Sequence, residues 1–333
     1  MNDAHPYARL TPDVVLNSLD AVGLRCDGRL LALNSYENRV YQVGLDEDEL
    51  VVAKFYRPQR WSDAQILEEH AFAIELAEAE IPVVAPTAFE GRTLLLADEF
   101  RVAVFPRKGG RAPELEQDET LEWIGRFIGR IHAVGAVRPF QHRPTLDIES
   151  FGDEPREFLL ASALIPADLV APWKQVADLA LEAVRHAFSR AGNVRQLRLH
   201  GDCHAGNVLW RPATGNAPGG PHFVDLDDAR MGPAVQDLWM LISGDRASMS
   251  HQLGRILAGY EDFMEFDDRE LQLVEALRTL RLLHYSAWLA RRWDDPAFPM
   301  AFPWFGTARY WQDRVLELRE QVAAMQEGPV VPT

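Results

Sequence analysis

The chain of 333 residues is short of cysteine, of positive charge and of long apolar runs, and each shortage removes a class of function. Its two cysteines, Cys26 and Cys203, are too few and too far apart in sequence for a disulfide framework or a thiolate zinc cluster. They fit a reducing compartment. Against 50 acidic residues stand 34 basic ones, a net charge of −16 that repels phosphate backbones and anionic lipid, so no nucleic acid and no membrane is expected as a partner. No apolar stretch approaches the roughly 20 residues that cross a bilayer. Met1 to Thr11 has neither the basic nor the apolar region of a signal peptide, and the expected protein is a soluble, cytoplasmic monomer. Internal repeats and low-complexity tracts are also missing.

What is there reads as two domains of different character, within the size that one large or two adjoining cores can organise. Short β patterns recur at Leu30 to Leu33, Arg39 to Val43, Leu50 to Tyr56, Thr93 to Leu96 and Arg101 to Phe105. A helix capped by Ser62 lies among them, running through Glu80 and stopping before Pro82. Beyond Lys108-Gly109-Gly110 the patterns lengthen and become helical, as in Leu121, Ile124, Ile128 and Ile131 behind an Asp118 cap. The expected organisation is therefore α+β, with a β-rich nucleotide-binding part over residues 1–107 and a mainly helical part over residues 108–333. Short apolar runs between Gln196 and Asp227, with a surface loop over Pro212 to Pro221, interrupt the helical part once. The tail after Glu327 is expected to fray.

That interruption holds the chemistry. His200-Gly201-Asp202-Cys203-His204-Ala205-Gly206-Asn207 packs an acid, two imidazoles and an amide into one loop after the apolar run Leu197 to Leu199. Phosphoryl transfer asks the protein for a carboxylate that orients and deprotonates the acceptor hydroxyl, and for oxygen ligands to magnesium. Asp202 can be the first, and Asn207 with Asp225, at the end of the run Phe223-Val224, can be the second. Asp227 falls on the same face as Asp225 if the strand continues, as a further ligand or a tuning charge. The same residues admit two blander or rival accounts: turn chemistry with a solvated acidic loop, or a metal-dependent hydrolase using His200, Asp202, His204 and Asp225.

Lys54 interrupts the apolar strand Val51-Val52-Ala53-Lys54-Phe55, where a buried ammonium needs an anionic partner. Glu69 lies on the apolar stripe Ile66, Glu69, Ala73, Leu76 of the following helix and needs a cation. Together they make the ion pair that aims a lysine at ATP phosphates, with Glu68 as the more exposed rival to Glu69. Ser35, in the turn Asn34-Ser35-Tyr36-Glu37-Asn38, can offer its hydroxyl to a phosphate.

On these residues the chain resembles the aminoglycoside and choline kinase-like superfamily, whose His-x-Asp-x4-Asn loop and later Asp match His200, Asp202, Asn207 and Asp225. The strings Asn34 to Tyr41, Lys54 to Pro58, His200 to Asn207, Phe223 to Arg230, Gly232 to Leu241 and Trp288 to Pro299 more closely resemble the bacterial stress response kinase A family. The resemblance implies a bilobal protein-kinase-like fold that takes ATP and Mg2+ between its lobes. It also implies a serine/threonine kinase acting on a protein in stress response. Ser35 would contact ATP, Asp202 would accept the proton, and Asn207 and Asp225 would hold the metal. A small alcohol as acceptor remains the alternative. The chain departs from eukaryotic protein kinases in lacking a glycine-rich loop, an Asp-Phe-Gly triplet and an Ala-Pro-Glu triplet.

Five further readings concern residues around this set. His200 is expected to orient its surroundings, Asp237 to cap a helix or brace the loop, and Gly125 and Gly129 to allow close helix contact. Cys203, beside a carboxylate, is expected to be unreactive. Trp288, Trp293, Phe298, Phe302, Trp304 and Phe305 are assigned to core rather than to an acceptor-binding wall.

Overall fold

The computed structural model describes residues 5–215 and 219–333. In chain order these form α1 (Pro12–Asp20), β1 (Cys26–Ala32), β2 (Arg39–Leu45), β3 (Leu50–Phe55), α2 (Asp63–Glu78), β4 (Leu95–Ala97), β5 (Phe100–Pro106), α3 (Asp118–Gly135), α4 (Glu154–Ala161) and α5 (Val170–Ala191). Then follow β6 (Leu197–Leu199), β7 (Val208–Arg211), β8 (Gly220–Phe223), β9 (Arg230–Gly232), α6 (Arg246–Tyr260), α7 (Val274–Arg291), α8 (Ala297–Ala301) and α9 (Ala308–Gln326). One compact unit comprises Met1–Pro113, Gln141–Arg143 and Gly206–Asp227; the other comprises Glu114–Phe140, Pro144–Ala205 and Asp228–Thr333. The first unit thus takes in the β7–β8 hairpin, which a division after residue 107 leaves in the helical part.

In the first unit the five strands form an antiparallel sheet in the order β1-β2-β3-β5-β4. Alternation along β3 sorts its side chains between two faces. Ala53 and Phe55 join Val43, Phe100, Val102 and Val104 in a core that Val15 and Leu19 of α1 complete. Tyr56 packs instead with Ile66 of α2 and with Ala103, which is the residue opposite Lys54 in the β3–β5 ladder. Lys54 therefore lies on the α2 side of the sheet. Helix α1 is absent from the sequence reading; its nine residues, started by the Thr11 side chain on the Val14 N–H and by Pro12, span too few turns for a clear period.

Helix α2 starts where expected, on a capping box in which Ser62 Oγ accepts the Gln65 N–H at 3.3 Å and Gln65 Oε1 accepts the Ser62 N–H at 2.9 Å. Its buried face carries Ile66, Glu69, Ala73 and Leu76, as their spacing predicts. After α2 the chain pairs with β8: Phe223 donates its N–H to the Pro82 carbonyl and accepts from Val84 N–H. In the hairpin Val208 stands opposite Phe223, and β8 begins at Gly220, inside the span expected to be loop. Residues 216–218 of that loop lie outside the described residues.

In the second unit α3 and α6 pack with their backbones close. A Cβ at Gly125 would collide with the Ile256 carbonyl, and one at Gly129 with the Tyr260 carbonyl. The stripe Leu121, Ile124, Ile128 and Ile131 is buried. Asp118 is the first residue of α3 rather than its cap; Gln117 holds the cap position without a side-chain bond, and Asp118 pairs with His251 at 2.8 Å. Strands β6 and β9 pair through Leu197 to Leu199 and Arg230 to Gly232. The tail does not fray: Val330 is buried, and the Thr333 N–H reaches the Ser250 carbonyl at 3.2 Å. Its apolar side chain gives the tail something to bury, which a reading of terminal position overlooks. The aromatic group divides, with Phe298 and Phe305 in the core and Trp304 exposed. No helix of the described residues is long and apolar enough to cross a membrane.

Candidate active site

In the first unit Lys54 is 5% exposed and its ammonium lies 2.9 Å from Asp225 Oδ1 and 3.1 Å from Asp227 Oδ1. Burial works against this charge, but Asp225, Asp227 and Glu69 together outweigh it and hold the lysine pKa well above its ordinary value. The ion pair expected between Lys54 and Glu69 is thus replaced by one with the two aspartates. Glu69 makes no ion pair with Lys54 and is buried, and its Oε2 has no hydrogen-bond partner among the described residues. Burial, only partly countered by Lys54, pushes its carboxyl up to about 7. Glu68 has the more exposed position foreseen for it, where it accepts the backbone N–H groups of Gln141, His142 and Arg143 at 2.5, 2.8 and 2.8 Å.

Asp225 and Asp227 meet one lysine by a route other than strand alternation. The strand ends at Phe223, Asp225 takes a left-handed backbone (φ 61°), and Leu226–Asp228 make a 3-10 turn. Asp tolerates that conformation better than most residues. Asp227 is buried, and its carboxylate also receives the Asn38 side-chain amide at 3.1 Å and the Arg60 guanidinium, while Arg143 donates to its backbone carbonyl. Asp227 is therefore an anchor with most of its bonding capacity in use. Nothing local in the sequence marks Asn38, Arg60 or Arg143 as a partner of Asp227, which is more than 80 residues away in each case.

Asp225, by contrast, keeps 54% of its side chain exposed. The Asn207 carbonyl accepts the Val224 N–H at 3.0 Å, which brings the backbone of Asn207 beside the residue preceding Asp225. One half-exposed carboxylate and one amide oxygen fit Mg2+, which keeps several waters and draws further oxygens from substrate phosphates. Ser35 Oγ donates to the Asn38 carbonyl at 3.1 Å, closing its own turn.

In the second unit the loop after β6 is fixed from behind. Asp237 is buried and accepts the His200 N–H and the Gly201 N–H, each at 2.8 Å, and its Oδ2 lies 3.0 Å from His132 Nε2. Of the two roles foreseen for Asp237 it performs the bracing one. Gly201 needs its left-handed backbone (φ 87°), and a Cβ there would strike the Asp228 carbonyl. Asp202, the next residue, projects from this braced turn with both oxygens engaged: Oδ1 lies 2.5 Å from Arg281 Nη1 of α7, and Oδ2 lies 3.5 Å from His204 Nε2. Burial alone would raise its pKa; His204 and Arg281 reverse that and hold the carboxyl at about 2. Arg281 went unnoticed in the sequence for want of any signal tying it to a residue so distant. Cys203 is buried, and burial, followed by Asp237 and Asp202, pushes its thiol well up, which disfavours the reactive thiolate. Among the described residues no group of three or more His, Cys, Asp and Glu is arranged to hold a metal ion, as the hydrolase reading would need.

Residues 29–274 match the phosphotransferase enzyme family. The chain belongs to that family. It is 47% identical over 329 residues to stress response kinase A of Escherichia coli (strain K12), covering 99% of this chain and 98% of the relative. It is also 46% identical over 331 residues to serine/threonine protein kinase RdoA of Salmonella typhimurium (strain LT2), with 99% and 98% covered. Among solved structures, an amicoumacin kinase in complex with AMP-PNP and Ca2+ shares the fold, with a TM-score of 0.70 at 18% identity over 96% of this chain and 95% of its own. The phosphotransferase is thus a member of the stress response kinase A group with a protein-kinase-like fold, and its chemistry is phosphoryl transfer rather than metal-assisted hydrolysis.

Proposed function

We propose that this phosphotransferase moves the γ-phosphoryl group of ATP, with magnesium, to a serine or threonine hydroxyl of a protein, as a cytoplasmic monomer serving a bacterial stress response. The observation that carries the reading is the buried Lys54 ammonium on β3 held 2.9 Å from the half-exposed carboxylate of Asp225. A buried lysine and a solvent-facing acid at one point supply a phosphate ligand and a metal ligand together. The names of the full-length relatives support the stress role and the protein acceptor.

In this account the acceptor oxygen forms a bond to the γ-phosphorus as the bond to the ADP oxygen breaks, and the acceptor proton passes to Asp202. Asp202 is suited to orient the hydroxyl because Arg281 and His204 keep it ionised. Lys54 turns from Asp225 to the phosphates. Ser35 gives a hydroxyl to the nucleotide. Asn207 and Asp225 would hold Mg2+, which neutralises phosphate charge when bound.

Phosphorylation of a small alcohol is the second reading, favoured by the fold shared with a kinase named for amicoumacin. Incubation with ATP, a bacterial protein extract and a set of amino alcohols and aminoglycosides, followed by mass spectrometry, tells them apart. Phosphate on serine or threonine supports the first reading; label confined to small alcohols moves the conclusion to the second.

A further inference from the structure

The overall charge of −16 would favour a basic acceptor, yet the surroundings of Asp202 have the opposite character. Arg281 reaches Asp202 from α7 with its side chain 40% exposed, and among the described residues Asp202 is the carboxylate within ion-pair distance of it. Nη1 is the nitrogen that donates to Asp202. One turn along the same face of α7 sits His284, stacked on Phe151, whose ring in turn lies under the Arg230 guanidinium. Burial first, then Arg230, Arg291 and Arg281, hold His284 down at about 3, with Asp228 the one carboxylate acting against them in that set. Asp228 is itself paired with Arg230 at 2.8 Å. The charged side chains that act on His284 are thus Arg230, Arg291 and Arg281 against Asp228, with Asp202 paired to Arg281. Cations predominate locally, in a chain that is acidic as a whole.

A hydroxyl seated on Asp202 lies next to the Arg281 guanidinium. In an amino alcohol two or three carbons separate hydroxyl from ammonium, so that ammonium would be brought within a few bond lengths of a like charge. A carboxylate at the same place would meet the unused N–H groups of Arg281 and form a charge-assisted hydrogen bond.

We infer that Arg281 selects the acceptor by charge, admitting a hydroxyl flanked by acidic or neutral groups and rejecting one flanked by an ammonium. This rests on the proposed role of Asp202 and narrows the substrate to serine or threonine in an acidic stretch of polypeptide. It also reverses the preference for basic acceptors that net charge alone implies, because a guanidinium a few ångströms away outweighs screened charges spread over the surface.

The test compares kcat/KM for matched serine peptides with glutamate or lysine on both sides of the acceptor, together with ethanolamine, using wild type, Arg281→Gln and Arg281→Lys. Wild type should favour the glutamate peptide by about tenfold or more. Arg281→Gln should bring the ratio toward one, chiefly through KM for the glutamate peptide, and Arg281→Lys should keep most of it. Preference of wild type for the lysine peptide or for ethanolamine overturns the inference while leaving phosphoryl transfer intact. So does a ratio that Arg281→Gln leaves unchanged. Absence of transfer to every acceptor overturns it together with the kinase reading.

Discussion

At the scale of single residues the account turns on Lys54, whose charge is tolerated in a buried position only because carboxylates face it. Lys54→Met should leave Asp227 to Arg60 and Asn38 and remove the proposed phosphate ligand, lowering kcat/KM by about a hundredfold or more, as steady-state kinetics would read. Glu69 makes a separate prediction about pH. Its carboxyl titrates near 7 in the folded chain, against an ordinary 4.5. Below 4.5 both states hold the proton and the site's contribution to stability is complete. As pH rises from about 4.5 to 7 the unfolded chain ionises first, so stability falls across that window and levels off above it. Glu69→Gln removes the titration. The difference in unfolding free energy between wild type and variant should therefore change by about 2–3 kcal/mol between pH 4.5 and 7, followed by urea denaturation at several pH values. A difference that stays constant with pH would contradict the burial argument. Taking the difference also cancels Glu270, which burial pushes up to about 7 in the other unit.

At the scale of elements, α2 and the α3–α6 pair carry the arrangement. Ser62→Ala removes half of a capping box and should cost about 1 kcal/mol, seen as a lower Tm. Gly129→Leu drives a side chain into the Tyr260 carbonyl and should cost about 3 kcal/mol or prevent folding, by the same measurement. These are the elements that the sequence makes legible. Ser62, the Ile66 to Leu76 stripe and the Leu121 to Ile131 stripe all declare themselves at helical spacing, and they fold as read. Legibility fails where a residue's role depends on a partner far along the chain. Burial pairs Glu69 with Lys54 because both need a partner, but the 3-10 turn after Asp225, invisible in a strand pattern, delivers two aspartates to the ammonium instead. Arg281 and Arg60 have no local signature at all. The tail was misjudged for the converse reason: terminal position says fraying, and one buried valine says otherwise.

At the scale of the whole molecule, excess negative charge and the nucleotide site pull on different measurements. The charge of −16 should keep the protein off DNA at physiological salt, by gel shift. Magnesium and a non-hydrolysable ATP analogue at a hundred times their dissociation constant should stabilise the chain by about 2.7 kcal/mol. In Asp225→Asn, which spares shape but removes the charge proposed to bind magnesium, most of the magnesium-dependent part of that gain should vanish. The family and the fold together make phosphoryl transfer the chemistry; the central claim beyond them is that Asp202 and Asp225 perform it. Transfer from γ-labelled ATP to a protein acceptor, compared for wild type, Asp202→Ala and Asp225→Ala in magnesium, tests that claim most directly. Label should appear with wild type and not above background with either variant, while both still fold and Asp202→Ala still binds ATP. Label transferred by a folded Asp202→Ala or Asp225→Ala protein at a rate near that of wild type would contradict it.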